Sequence, residues 1–261
     1  MLRITDVVKH LLIINILMFL ASRVFNTGML ALYYPGSEQF MPLQFATHFF
    51  MHANLPHLLF NMYALYLFGS ALESLWSARP FLLYYFVCAV GAALLHLLVN
   101  YLEFSQMQTA IDAFRAIPNY DTFWQFFKKV PLDRLNPEYK ALVLQASSAL
   151  QDGNPMTVEA VSGMMQQYLR YQMNIPAVGA SGAIFGLLLA FAMKFPNTEL
   201  MLIFVPIPIK VKYFIPILMV VELYLSVNNF AWDNIGHFAH LGGALTGLLL
   251  LLFGKYLRIY L

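Results

Sequence analysis

Six apolar segments alternate with short polar connections along most of the chain. They cover residues 11–25, 55–72, 81–101, 178–195, 213–227 and 237–252. A helix that crosses a bilayer needs about 20 mostly apolar residues, so several of these segments are short. Short spans suit a protein that thins the bilayer or holds water at membrane depth. The pattern predicts six transmembrane helices and an uncleaved first span.

One stretch, residues 102–176, breaks this pattern and holds nearly half of the charged residues. Apolar residues recur at helical spacing from Phe104 to Phe114. Asn136 followed by Pro137 is a typical helix start, with asparagine as the N-cap. We therefore predict an all-α membrane protein in three parts. Residues 1–101 carry transmembrane helices 1–3, residues 102–176 form a helical insert, and residues 177–261 carry helices 4–6.

Composition places the chain in the membrane class. Of its residues 60% are hydrophobic and 11% are charged, whereas soluble domains average about 25% charged residues. Its mean hydropathy is +0.65. A net charge of +2 without a basic cluster gives no support for nucleic-acid binding. The single cysteine, Cys88, cannot form an internal disulfide.

Basic residues predict the orientation of the spans, because lysine and arginine collect in short cytoplasmic loops. On one side of the predicted bundle lie Arg3, Lys9, Arg79, Lys194, Lys210, Lys212, Lys255 and Arg258. The short loops of the other side contain only Arg23. Both termini are therefore predicted to be cytoplasmic, and the insert extracytoplasmic. Ser181 and His240 then begin spans four and six at the same, extracytoplasmic end.

Ser181 is the first candidate for chemistry. It lies between Gly179 and Gly182, at the predicted start of a helix. Small residues in membrane helices usually permit close packing, so this motif alone favours a structural role. Glycines also let a substrate approach the backbone, and the N–H groups at a helix start stabilise an anion. That is the environment an oxyanion needs.

His240 is the candidate base. Gly236, Ala239, Gly243 and Gly247 surround it with small residues, which let two helices approach closely. A lone histidine on an apolar face is more often structural, but this face would bring span six against span four and Ser181. Asp233 is about two turns away on a loop, so the spacing predicts a Ser–His dyad without an acidic partner.

Two further polar side chains, His57 and Asn61, lie at i and i+4 on one face of span two. Alone they would be interpreted as a hydrogen bond between helices. Beside a serine nucleophile they are candidate donors to an oxyanion.

Taken together, these motifs resemble the rhomboid family of intramembrane serine proteases. The matching stretches are Thr47 to His52, His57 to Asn61, Gly69 with Glu73, Gly179 to Gly182, and Ala239 to Gly243 with Gly247. The resemblance implies a six-helix bundle with Ser181 as nucleophile and His240 as base. It implies an oxyanion hole formed by His57, Asn61 and the backbone N–H of Ser181.

The resemblance also implies what this site would act on. Its substrates would be single-pass transmembrane proteins in the lipid bilayer, cut near the extracytoplasmic end of their helix, and no cofactor is expected. Phe185 falls where the family often has an aromatic residue against the histidine. Many members carry a Trp-Arg pair in the first loop, whereas residues 22–44 here contain no tryptophan and only Arg23. By resemblance alone, the expected location is a bacterial inner membrane.

The remaining polar residues leave alternatives open. His48 and His52, with His57, are possible metal ligands, but no His-Glu-x-x-His motif occurs, so we expect them to be structural and expect no metal. Glu222 inside span five is interpreted as protonated or bonded across helices rather than catalytic, because the sequence suggests no partner for it. Residues 206–210 predict an amphipathic connection at the cytoplasmic surface. Besides the protease, the alternatives are a catalytically inactive relative that binds transmembrane clients, and a transporter.

Overall fold

The computed structural model describes residues 3–128, 130, 132–133, 135–152, 158–202, 205–228 and 236–254. Apart from its loops, this part of the chain is helical with one short hairpin. The α-helices are α1 Asp6–Val24, α2 Gln44–Thr47, α3 Leu55–Ala64, α4 Ser70–Trp76, α5 Ala78–Ala116, α6 Tyr120–Phe127, α7 Pro137–Gln151, α8 Val158–Met173, α9 Ser181–Lys194, α10 Val211–Asn228 and α11 His237–Phe253. The strands are β1 Glu199–Leu202 and β2 Val205–Lys210. Asp233, Lys255 and Arg258, which entered the sequence predictions, lie outside the described residues.

Among the described residues, four helical segments are long and apolar enough to cross a membrane: Asp6–Val24, Leu55–Trp76, Ala78–Ala116 and Val211–Asn228. The second of these joins α3 to α4 through a π-helical turn, Leu65–Gly69. Two shorter apolar helices, α9 and α11, complete the set. This helical, apolar architecture is that of an integral membrane protein.

Helix α5 joins two stretches that the sequence predicts separately, span three and the helical stretch from Phe104 to Phe114. It is 39 residues long and passes the predicted end of span three at Tyr101 without a break. Its second half packs on a core of its own with α6, α7 and α8, in which Phe114, Phe123, Val143 and Met165 are fully buried. The start of the predicted insert is therefore the continuation of a membrane helix, without a break between them.

Glycines bring α5, α9 and α11 into close contact. A Cβ atom on Gly243 would overlap the carbonyl group of Gly182, and one on Gly247 would overlap the hydroxyl of Tyr84. A Cβ on Gly186 would lie 2.6 Å from the Cys88 sulfur. Contacts this close exclude any side chain, so the glycine face predicted for the last helix sets the spacing of the bundle's centre.

The connection between α9 and α10 is a two-stranded antiparallel hairpin in which Glu199 pairs with Lys210. The sequence predicted an amphipathic surface segment here and no strands. Isoleucine and valine favour strands, and Pro208 is tolerated in a two-stranded ribbon because an edge strand leaves some N–H groups without a ladder partner.

Candidate active site

Ser181 is the first residue of α9, and the turn before it is built by a glycine. Gly179 has φ of +121°, a conformation that strains any residue with a Cβ. Its N–H donates to the carbonyl of His48 at 3.0 Å, which ties the serine turn to the segment after α2. The residue types around Ser181 therefore determine both the helix start and the direction of the turn.

The hydroxyl of Ser181 lies 2.9 Å from Nε2 of His240. His240 is one turn into α11, and the contact between Gly243 and Gly182 presses this helix against α9. The structure thus brings together the two residues predicted as nucleophile and base. The ring is 8% exposed, so water has little access to it.

An acidic side chain completes this group, contrary to the prediction that none lies near His240. Oε2 of Glu222, on α10, is 2.8 Å from Nδ1 of His240 and 2.6 Å from Nδ1 of His237. Because an ionised carboxylate only accepts hydrogen bonds, both Nδ1 atoms donate. Nε2 of His240 is then left to accept from the Ser181 hydroxyl.

The sequence contained a signal for Glu222 that the spacing argument did not use. A carboxylate within an apolar span is by itself a functional candidate, and the interpretation of Glu222 as bonded across helices is correct. Its partners were missed because Glu222 and His240 are on different helices, 18 residues apart. Only the packing of α10 against α11 shows that they meet.

Phe185 lies one turn after Ser181 and stacks on the catalytic candidate His240. The ring centroids are 4.1 Å apart and the ring planes differ by 7°. The aromatic contact expected at this position is therefore present. It covers one face of the imidazole ring.

The structure places His57 beside the serine turn. A Cβ on Gly179 would lie 2.7 Å from Nε2 of His57 and 3.8 Å from Oγ of Ser181, so the ring borders the same small space. Asn61 is buried, and its Nδ2 donates to the carbonyl of His57 at 2.9 Å. The amide is thus bonded within its own helix through one N–H, which leaves its second N–H as the possible donor to a substrate oxygen.

His48 and His52, the other two histidines considered as metal ligands, support the loop in front of the site. Nδ1 of His48 is 2.8 Å from the carbonyl of Gln44, and His52 packs edge-on against His57 at 5.1 Å between centroids. Burial lowers the pKa of His48. Burial and the nearby His57 lower the pKa of His52 to about 4. Both rings are therefore neutral at physiological pH.

Histidines 48, 52 and 57 do not form a group that could hold a metal in the described part of the chain. The group there with suitable donors is Glu222 with His237 and His240, whose ligand atoms lie within 4.8 Å of one another. In this group, Oε2 of Glu222 and the Nδ1 atoms of both histidines are already joined by the hydrogen bonds given above.

Gln44, which no motif singled out, organises the loop before the site. Its side chain is fully buried. Nε2 donates to the carbonyls of Met29 and Gln39, and Oε1 accepts from the N–H of Tyr33. Earlier in the same loop, Leu32 pairs with Ala177 in an antiparallel bridge with bonds of 2.8 and 2.9 Å. The first loop thereby holds the segment that leads into Ser181.

These features define an integral membrane protein with a serine and a histidine in hydrogen-bond contact at the starts of two packed apolar helices. The Rhomboid domain family model matches residues 39–108 and 156–256. The chain belongs to the Rhomboid family. The match is interrupted between residues 108 and 156, within the region of α5 to α7.

An uncharacterized mitochondrial rhomboid protein of Schizosaccharomyces pombe is 28% identical over 219 residues. The aligned region covers 78% of this chain and 48% of the relative, so the chain spans about half of the relative's length. No solved structure is significantly similar to the chain.

Proposed function

We propose that the protein is a rhomboid-type intramembrane serine endopeptidase. The observation that carries this proposal is the 2.9 Å contact between Oγ of Ser181 and Nε2 of His240, in a chain of the Rhomboid family. A nucleophile and its base must lie within hydrogen-bond reach of each other. The two residues retain this geometry, which a client-binding relative without activity would not need.

In the proposed reaction, Oγ of Ser181 attacks a backbone carbonyl carbon of the substrate while His240 takes the hydroxyl proton. His240 then gives that proton to the leaving amine as the peptide bond breaks. Water attacks the resulting ester, and its proton passes through His240 back to Ser181. The intermediate's oxygen is stabilised by N–H groups at the start of α9 and by the side chains of His57 and Asn61.

The proposed substrates are single-pass transmembrane proteins cut near the extracytoplasmic end of their helix. Backbone carbonyls within a helix are hydrogen-bonded and shielded, so the substrate must unwind locally before Ser181 can reach one. Substrates with helix-breaking residues and a small residue at the cut should therefore be preferred.

We further propose a six-span topology with both termini on the cytoplasmic side. The four long segments and the two short apolar helices supply six candidates, and the lysine and arginine distribution supplies the orientation. The expectation of a bacterial inner membrane rests on resemblance, while the curated relative is named as mitochondrial. Localisation of the tagged chain, with reporters at both termini, tests the compartment and the orientation.

For the insert we propose an influence on substrate entry. It contacts the loop that leads to α2, because Phe104 packs edge-on against Tyr34 at 4.9 Å and Ser37 donates to Oδ1 of Asn174 at 2.5 Å. Asn174 precedes the turn of Ser181 by only a few residues. Charge reversal at Lys128 and at Lys129, which lies outside the described residues, should then change the ratio of cleavage rates for two substrates that differ in their extracytoplasmic flanks. An unchanged ratio would mean that the insert is passive.

A fluorophosphonate serine probe tests the central proposal. Purified protein should be labelled at Ser181, as located by mass spectrometry, and labelling should vanish in Ser181→Ala. The matched control is Ser74→Ala, which removes a membrane-helix hydroxyl bonded to the Ser70 carbonyl. A folded protein that the probe does not label, and that cleaves no transmembrane substrate, would favour the inactive, client-binding alternative.

A further inference from the structure

A single carboxylate oxygen joins the proposed base to a second histidine. Oε2 of Glu222 accepts from Nδ1 of His240 at 2.8 Å and from Nδ1 of His237 at 2.6 Å. The three residues are between 6% and 8% exposed. Ser181, His240, Glu222 and His237 therefore form one continuous hydrogen-bonded chain from three helices.

Burying a carboxylate in an apolar region is unfavourable unless hydrogen bonds compensate for the lost water. Two short bonds from imidazole N–H groups supply that compensation here. A purely structural cross-link between α10 and α11 would need only one of them. The second bond, to the ring that also contacts Ser181, fixes which nitrogen of His240 carries the proton.

We propose that Glu222 is a positioning residue that extends the Ser181–His240 pair to a Ser–His–Glu triad, and that His237 holds the Glu222 carboxylate in place. This inference rests on the proposed protease function. When His240 takes the proton of Ser181, its ring becomes positively charged with a proton on each nitrogen. The negative charge of Glu222 stabilises that ring, and the proton goes on to the leaving amine without passing to Glu222.

His237 has a separate part in this arrangement. It is one turn before His240 on α11 and donates to the same oxygen, so it limits rotation of the carboxylate. For this role the ring of His237 needs only to donate one hydrogen bond to Glu222. An amide N–H in the same place could replace it, whereas an alanine could not.

The test compares Glu222→Gln with a matched control, Glu73→Gln. Glu73 is also a buried carboxylate in a membrane helix, but it accepts bonds from Thr5 and from the N–H groups of Val7 and Val8 at the start of α1. Each variant is assayed for thermal stability in detergent, probe labelling, and kcat and KM on a transmembrane substrate. We expect Glu222→Gln to lower kcat by roughly 10²–10⁴-fold with little change in KM, and Glu73→Gln to lower stability alone.

The second comparison concerns His237. His237→Gln keeps a donor for Glu222, so its kcat should fall less than that of His237→Ala. Equal loss in both variants would overturn the role given to His237. A kcat of folded Glu222→Gln within tenfold of wild type would overturn the triad while leaving the protease proposal intact, whereas full activity in Ser181→Ala would overturn the protease proposal itself.

A measurement on the unmutated protein keeps the inference testable if Glu222→Gln does not fold. Nitrogen NMR of histidine-labelled protein should show His240 protonated at Nδ1 and unprotonated at Nε2, with the assignment made from its loss in His240→Ala. The opposite tautomer would overturn the triad. So would activity that a chelator removes and zinc restores, since Glu222, His237 and His240 would then serve as metal ligands.

Discussion

The ring of Phe185 lies parallel to the imidazole ring of His240, with their centroids 4.1 Å apart. Phe185 is on α9 and follows Ser181 by one turn, so the helix that carries the proposed nucleophile also supports the proposed base. Glu222 fixes the edge of the same imidazole through Nδ1. The plane and the edge of His240 are therefore held by two different helices, and only Nε2 faces Ser181.

Replacement of Phe185 by alanine should lower kcat by more than its loss of thermal stability explains. Removing a buried phenylalanine costs roughly 3–5 kcal/mol in soluble cores, and here it would also free the ring of His240. The matched control is Phe191→Ala on the same helix. Phe191 is equally buried but packs against Phe68 and Phe195, away from the site.

Thermal unfolding and probe labelling separate the two effects. The two variants should lose similar stability, and only Phe185→Ala should be labelled more slowly, by about tenfold or more. Parallel losses of labelling in both would mean that the stacking does no more than pack the bundle.

The glycine contact between α9 and α11 gives a second prediction. In Gly243→Ala the added methyl group would overlap the Gly182 carbonyl, so the helices must separate and Ser181 must move from His240. We expect lower thermal stability and loss of probe labelling. Gly163→Ala on α8 is the control, because no atom lies within 4 Å of its added Cβ. It should be neutral or gain up to about 1 kcal/mol from helix propensity.

The proposed oxyanion donors should have unequal effects. Loss of one such donor lowers kcat by about 10²–10³-fold in soluble serine proteases. His57 already borders the serine turn, so His57→Ala should fall in that range. Asn61→Ala should have a smaller effect, because one N–H of its amide is bonded to the His57 carbonyl and only the other is left to donate to an oxyanion. Steady-state kinetics on a transmembrane substrate measures both effects. An unchanged kcat in both variants would mean that these residues only pack.

Acid should destabilise the protein through His52. Its pKa is about 4 in the folded chain, lowered from 6.5 by burial and by His57. The unfolded chain therefore binds a proton that the folded chain does not between pH 6.5 and 4. Protonation of His52 does not affect stability above pH 6.5, and below it stability falls as the pH drops, by about 3 kcal/mol at pH 4.

Thermal unfolding in detergent at pH 7.5, 5.5 and 4.5 measures this effect. In His52→Gln the decrease in Tm on acidification should be smaller than in wild type. His10→Gln, at an exposed histidine of α1, is the control and should keep the full decrease. Equal acid sensitivity in all three proteins would contradict the prediction.

The sequence predicted the positions of Ser181 and His240 well because each lies in a short local motif with flanking glycines. Glycine spacing on one helix face carries information about helix contacts, and the contacts of Gly243 and Gly247 agree with it. Glu222 was recognised as unusual, but its partners depend on the rotation of α10 about its axis, which a uniformly apolar helix does not reveal.

Two other features could not be predicted for related reasons. The sequence did not show that α5 continues beyond Tyr101. The apolar residues after this point belong to a separate small core and no longer to the apolar surface of a membrane span, while the backbone stays helical. The role of Gln44 depends on three partners brought together by a loop. A lone glutamine at the start of a one-turn helix has no periodic pattern from which such contacts could be inferred.

The unbroken α5 makes the insert a rigid extension of a membrane span. At 1.5 Å per residue its 39 residues extend about 58 Å, roughly twice the thickness of the hydrocarbon layer. Without a hinge near Leu102, the insert cannot swing unless the whole span tilts. Its angular position is therefore set by residue count: one residue added after Tyr101 would turn it by about 100°. Seven added residues would shift it by about 10 Å along the helix axis and turn it by only about 20°, so the shift along the axis and the direction that it faces can be changed separately.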